Sequence, residues 1–147
     1  MTRATSTEAA APKGLAVLNK FDVEQQTLPD YEPLPDEILE TGSGKNWLDE
    51  PFGGEITLML WEAEQARLVL NSPYPYDQYV EVLKGRLTLM DAEGRSATFG
   101  PGDRFVLQKG FMGTWRMTED YRQLLIVSTE QLNAAEQPAD EGPQIGE

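Results

Sequence analysis

The chain contains no cysteine and no histidine. Without cysteine there is no disulfide, no thiolate nucleophile and no thiolate metal site. Without histidine the commonest general base is missing, along with the usual transition-metal ligand and the side chain that titrates near neutrality. Any catalysis must run on carboxylates, lysine, tyrosine or other non-imidazole groups. Positive charge is scarce too: 12 Lys and Arg stand against 25 Asp and Glu, a net charge of −13. Such a chain repels phosphate backbones and anionic lipid, so neither a nucleic acid nor a membrane is expected as a partner. Long apolar runs are also lacking. The longest, such as Ile56–Trp61 and Leu124–Val127, are strand-sized, well short of the roughly 20 residues of a spanning helix. The N-terminus carries no apolar signal core, and the expected location is cytoplasmic.

What is present suits one domain. The 147 residues are 39% apolar and include three Trp, five Tyr and five Phe, enough for a single core. Residues 1–13 are small and polar and read as a disordered leader. Residues 14–55 read as an N-terminal strand, Leu15–Val23, followed by an irregular arm. Pro29, Pro33, Pro35, Gly42 and Gly44 interrupt that arm, and Asp36–Glu40 suits one helical turn with Pro35 at its start. Trp47 and Leu48 are its candidate anchors. Residues 56–129 change character. Short β-branched, aromatic and leucine-rich runs recur about every ten residues, giving about eight strands, the rhythm of a sandwich or barrel. Residues 130–147 carry Glu130, Glu136, Asp140, Glu141 and Glu147 and no basic residue. They read as an acidic flexible tail, with at most a helical turn near Gln131–Glu136.

The stretch Gln78–Gly113 organises the rest. Gly85 separates the runs 78–84 and 86–90. Asp91-Ala92-Glu93-Gly94 has the chemistry of a tight hairpin loop, and Gly100-Pro101-Gly102-Asp103 places Pro and Gly as a type II turn requires. In this stretch the chain resembles the cupin superfamily over about residues 56–128, and within it the small ureidoglycine aminohydrolase-type proteins. Gly85 matches the last glycine of the family's first block, G-x5-H-x-H-x3-4-E-x6-G. Gly102 and Gly110 match the second block, G-x5-P-x-G-x2-H-x3-N. Trp61, Gly102-Asp103 and Trp115 fit the smaller subfamily.

The ligand positions of those blocks are all altered. Ser72 and Tyr74, or Asn71 and Pro73 with the longer spacing, stand at the first histidines. Gln78 stands at the acid and Gly113 at the last histidine. The resemblance implies an all-β fold, a cupin-type jelly-roll barrel carrying an N-terminal arm, with no metal and no cofactor held at those positions. It also implies a homodimer.

If Gln78 faces inward as the family acid does, Val80 and Val82 do too, and Tyr79, Glu81 and Leu83 face the other way. Tyr74, Tyr76, Gln78, Arg104 and Trp115 are the candidate ligand-binding residues, with Trp61 as a further wall of the cavity. Aromatic walls with a few polar groups describe a small-molecule site, and Arg104 could clamp a carboxylate. Three functions stay open: binding of a small organic metabolite, metal-independent catalysis by a tyrosine or carboxylate such as Glu62 or Glu81, and a structural or regulatory dimer with a filled barrel.

Overall fold

The computed structural model describes residues 12–136. Residues 1–11 and 137–147, most of the expected leader and acidic tail, lie outside the described residues. Ten strands and two helices follow in the order α1 (Lys20–Glu24), β1 (Leu39–Gly42), β2 (Asn46–Gly53), β3 (Ile56–Ala63), β4 (Ala66–Leu70), β5 (Gln78–Lys84), β6 (Leu87–Asp91), β7 (Ser96–Phe99), β8 (Arg104–Leu107), β9 (Gly113–Met117), β10 (Tyr121–Ser128) and α2 (Thr129–Glu136). They form two five-stranded sheets, ordered β1-β4-β9-β6-β7 and β2-β3-β10-β5-β8. Every pairing is antiparallel. The chain repeatedly crosses from one sheet to the other, as a jelly roll does, so each strand buries one face in a shared core. The eight strands from residue 56 onward match the expected rhythm. Among the described residues no helix is long and apolar enough to cross a membrane.

Turn chemistry fixes the connections between strands. Gly102 takes φ +91°, and the Asp103 N–H reaches the Gly100 carbonyl at 2.9 Å, closing the expected turn between β7 and β8. Gly94 takes φ +86° in the β6–β7 hairpin, whose Asp91 side chain accepts from the N–H groups of Glu93 and Arg95. Gly85 is the more demanding position. Its φ is +86°, and an added Cβ would collide with the Asp120 carbonyl. The β5–β6 and β9–β10 connections can pass that closely only because residue 85 has no side chain.

Two expectations for the N-terminal region are corrected. Leu15–Val23 is not a strand. Residues 15–19 join no sheet, and Lys20–Glu24 forms α1. Asn19 caps this helix, its side-chain oxygen accepting from the Asp22 N–H at 2.9 Å, so the local chemistry favours a turn of helix. Leu15, Val17, Leu18 and Phe21 are all exposed. The arm after it is also less irregular than expected: β1 and β2 lie within it, and Pro35 opens a single turn before β1. Both strands sit on sheet edges and are bulged, β1 between Leu39 and Thr41 and β2 between Asp49 and Phe52. The bulges, with Pro51 inside the second, break the two-residue alternation that marks a strand in sequence.

The arm is fastened to the outer face of the second sheet by one buried cation. Arg122 follows the inward-facing Tyr121 and so points outward, yet it is only 3% exposed because residues 22–26 cover it. Its guanidinium donates to the carbonyls of Val23 (3.0 Å), Gln26 (2.9 Å) and Asp22 (3.4 Å), and it meets Glu62 at 3.3 Å. Three of these acceptors end the α1 segment, where carbonyls lack helical partners. The Arg122→Met change keeps the volume and removes every donor. It is expected to cost roughly 2–4 kcal/mol in chemical denaturation, since three partly buried carbonyls and Glu62 lose their partner together. A loss below about 0.5 kcal/mol would show that the arm is not held this way.

Candidate functional site

One end of the space between the sheets is filled by aromatic rings. Trp61 of β3, Trp115 of β9 and Tyr121 of β10 meet edge-on, with centroids 6.2 to 6.3 Å apart in all three pairs. Beside them the core opens into a cavity of about 430 Å³, within the range of small-molecule sites. Inward positions of β3, β5 and β10 supply one wall: Met59, Trp61, Gln78, Gln123 and Leu125. Leu68 and Leu70 of β4 with Trp115 of β9 supply the other. The arm from Tyr31 to Pro35 and Leu132 and Glu136 of α2 form the mouth. Thr129 begins α2 by bonding across to Thr57 and the Glu55 carbonyl, which turns Leu132 down onto Met59, Val80, Leu125 and Val127.

The inward alternation holds as expected along β5: Gln78, Val80 and Val82 are buried, and Tyr79, Glu81 and Leu83 lie on the other face. Tyr74, Tyr76, Gln78 and Trp115 all reach the cavity. Tyr74 and Tyr76 pack edge to face at 5.3 Å, and the Tyr74 hydroxyl donates to Gln78 Oε1 at 2.7 Å.

Arg104 does not join them. Along β8 the alternation turns Phe105 and Leu107 inward and leaves Arg104 exposed, opposite Glu81 on the outer face. It cannot clamp a ligand in this cavity. Glu62 is likewise engaged outside, with Arg122 and Lys84, so Glu62 and Glu81 do not form a cavity pair.

Two further polar residues belong to the site. Gln123 sits inward on β10, 2% exposed, and its Oε1 accepts from the Tyr121 hydroxyl at 2.7 Å. Asn46, at the start of β2, accepts from the Trp61 indole N–H at 2.9 Å and donates to the carbonyls of Glu32 and Gly44. Gln123 had a legible signal: it is a polar residue in phase with Leu125 and Val127 in an otherwise apolar inward row. Asn46 had none, because its partners come from a proline-rich arm with no periodicity.

The tyrosines are held neutral. Burial pushes the phenol of Tyr74 well above the usual value near 10, with Tyr76 beside it adding to the rise. Burial raises Tyr76 and Tyr121 as well. A phenol shifted this way donates hydrogen bonds and does not act as a base at neutral pH.

Comparison with known families and folds places this architecture. A family model described as the EutQ-like cupin domain matches residues 51–123. Among solved structures, a protein of unknown function from Pseudomonas syringae pv. tomato superposes with a TM-score of 0.61 at 18% identity, over 71% of this chain and 45% of its own. A cupin-like protein from Thermotoga maritima gives 0.57 at 14%, over 74% and 84%. A putative ethanolamine utilization protein Q from Salmonella typhimurium gives 0.50 at 19%, over 58% and 70%. No curated protein matches significantly. The chain is a member of the cupin superfamily. At these identities the structural neighbours speak to the fold alone.

A cupin's transition metal does not fit the residues present. Among the described residues no three His, Cys, Asp or Glu side chains cluster to hold an ion. Gly113, at the last histidine position, has no side chain, and φ +153° with the Met90 carbonyl against it leaves no room for one. Asn71 and Ser72 are exposed and line no part of the cavity. The Gln78 oxygen is occupied by Tyr74. Neutral carboxamides compete poorly with water for Mn, Fe, Ni or Zn.

The raised phenols predict an alkaline signature. A group whose folded pKa exceeds its unfolded value adds stability that is complete below the unfolded value, here about pH 10, and is lost as pH rises toward the folded one. Folding stability is therefore expected to fall above about pH 10, less steeply in a Tyr74→Phe/Tyr121→Phe variant than in the wild type. Tyrosinate absorbance should show these two phenols ionising only as the protein unfolds. Ionisation of all five tyrosines near pH 10 with the fold intact would contradict the burial argument.

Proposed function

We propose that this chain is a cupin that binds a small organic molecule in the cavity between its sheets and uses no transition metal to do so. The observation that carries the reading is the cavity itself, about 430 Å³ of space walled by aromatic and aliphatic side chains and set with buried carboxamides. A barrel filled for purely structural purposes would pack this volume at the density of other protein interiors. Metal-independent catalysis is the weaker alternative. Its tyrosine base is shifted in the wrong direction, and Glu62 and Glu81 lie outside the cavity.

The finer placement beside ureidoglycine aminohydrolase-type cupins belongs to this proposal and rests on Trp61, Gly102-Asp103 and Trp115. So does a cytoplasmic location. Pairing of two chains is proposed as well. Exposed Phe52, Ile56 and Val106 on or beside edge strands support it. A monomer in light scattering at micromolar concentration would contradict the pairing.

Ligand-observed NMR with a set of small aromatic fragments tests the cavity. Fragments are expected to bind the wild type in competition with one another. Binding should disappear in Leu48→Trp, which fills the space from β2, while the melting temperature stays close to that of the wild type. Binding unchanged by Leu48→Trp, or no fragment binding at all, would contradict the reading.

A further inference from the structure

The polar groups of the cavity are unusual in kind. Gln78 and Gln123 are 4% and 2% exposed, and both line the cavity. In each, a tyrosine hydroxyl occupies the carboxamide oxygen at 2.7 Å. That contact turns the amide nitrogen, with its two N–H donors, away from the tyrosine. Among the described residues neither nitrogen has a partner. Among the described residues the polar side-chain atoms sealed from solvent without a hydrogen bond are Trp115 Nε1 and Arg67 Nε, the latter ion-paired with Glu40 at 3.0 Å, and neither carboxamide nitrogen is among them. Unbonded, not sealed, and carried by residues that line the cavity, the two carboxamide nitrogens are the donors this wall can offer a ligand. The ladder places Gln123 opposite Val82, four residues along β5 from Gln78, about 13 Å at a strand's rise. The donors thus mark two ends of one wall, with Leu125 between them.

The charges point the same way. Among the described residues the charged side chains lining the cavity are Glu32 and Glu136, both exposed at its mouth, and no Lys or Arg lines it. A buried carboxylate or phosphate would find neutral donors but no counter-charge. It would also pass two glutamates on entry, in the field of a chain of net charge −13. An uncharged carbonyl satisfies the same N–H groups without that cost.

We propose that the cavity selects uncharged ligands with an apolar body and a carbonyl-type acceptor (an amide, lactam or ketone), docked on the N–H groups of Gln78 or Gln123, and rejects the corresponding carboxylates. The proposal rests on the small-molecule reading above and names the class of molecule that site takes. Gln78, standing where related cupins carry a metal-binding acid, is then a donor to ligand.

Three probes of one skeleton test it by calorimetry or ligand-observed NMR: ethylbenzene, 2-phenylacetamide and phenylacetate. The amide is expected to bind the wild type at least tenfold more tightly than the carboxylate. Gln78→Met or Gln123→Met, near in shape but without N–H donors, should weaken the amide about tenfold, the worth of one hydrogen bond. It should leave ethylbenzene within twofold, and that binding also shows that the variant cavity is intact. Carboxylate binding as tight as amide binding would overturn the selectivity and leave the cavity reading standing. So would ethylbenzene binding with no gain for the amide, or amide binding indifferent to both substitutions. Failure of all three probes to bind the wild type would overturn both.

Discussion

The mutual contact of Trp61, Trp115 and Tyr121 is the constraint on which the rest of the molecule depends. Trp61 and Tyr121 stand on adjacent strands of one sheet and Trp115 on the other, so the three rings span the interior. Edge-to-face packing of large rings stabilises more than area alone, and it fixes how far apart the two sheets stand. Leu87, Val82 and Met117 pack into the same cluster and are almost wholly buried. The sheets are thereby held apart at a distance set by rings. Where smaller side chains follow along the same strands, at Met59, Leu68 and Leu125, space is left between the walls.

The chemistry of that space follows from what surrounds it. Tyr74, half-buried, and Tyr121, fully buried, are both neutral and each spend their hydroxyl proton on a glutamine oxygen. Asn46 spends its whole amide tying Trp61 to the arm. The remaining polar capacity of the wall is donor capacity, and it is uncharged. Cations are kept elsewhere: Arg122 on the outer face fastens the arm, and Arg104 lies opposite Glu81 on an edge. The scaffold of a metal-binding fold is kept through Gly85 and Gly102, which its turns require. Gly113, without a side chain and without room for one, removes a ligand position outright.

Much of this was legible in the sequence, and for definite reasons. β4, β5 and β6 alternate, β3 and β10 read as short apolar runs, and glycines whose positive φ the turns demand punctuate them, so the strands could be read directly and the inward phase of β5 with them. Gln78 followed from that phase, while Tyr74, Tyr76 and Trp115 stood out as aromatics suited to a cavity wall. The failures lie where alternation breaks or a local group decides. Bulges and Pro51 hid β2, and Asn19 made a helix cap where an apolar run suggested a strand. Arg104 was drawn toward the cavity by its neighbouring turn, when the phase set by Phe105 and Leu107 turns it outward. The arm and α2, which form the mouth, reach the site through long-range packing that no local pattern records.

We propose that neutral hydrogen-bond donors stand in this cupin where metal ligands would be. This is tested most directly by elemental analysis combined with native mass spectrometry, after incubating the purified protein with Mn, Fe, Ni and Zn salts and removing free ion. No stoichiometric metal is expected, and a native mass made up of polypeptide alone or of polypeptide with an organic molecule. One metal per chain, retained through the wash, would contradict it.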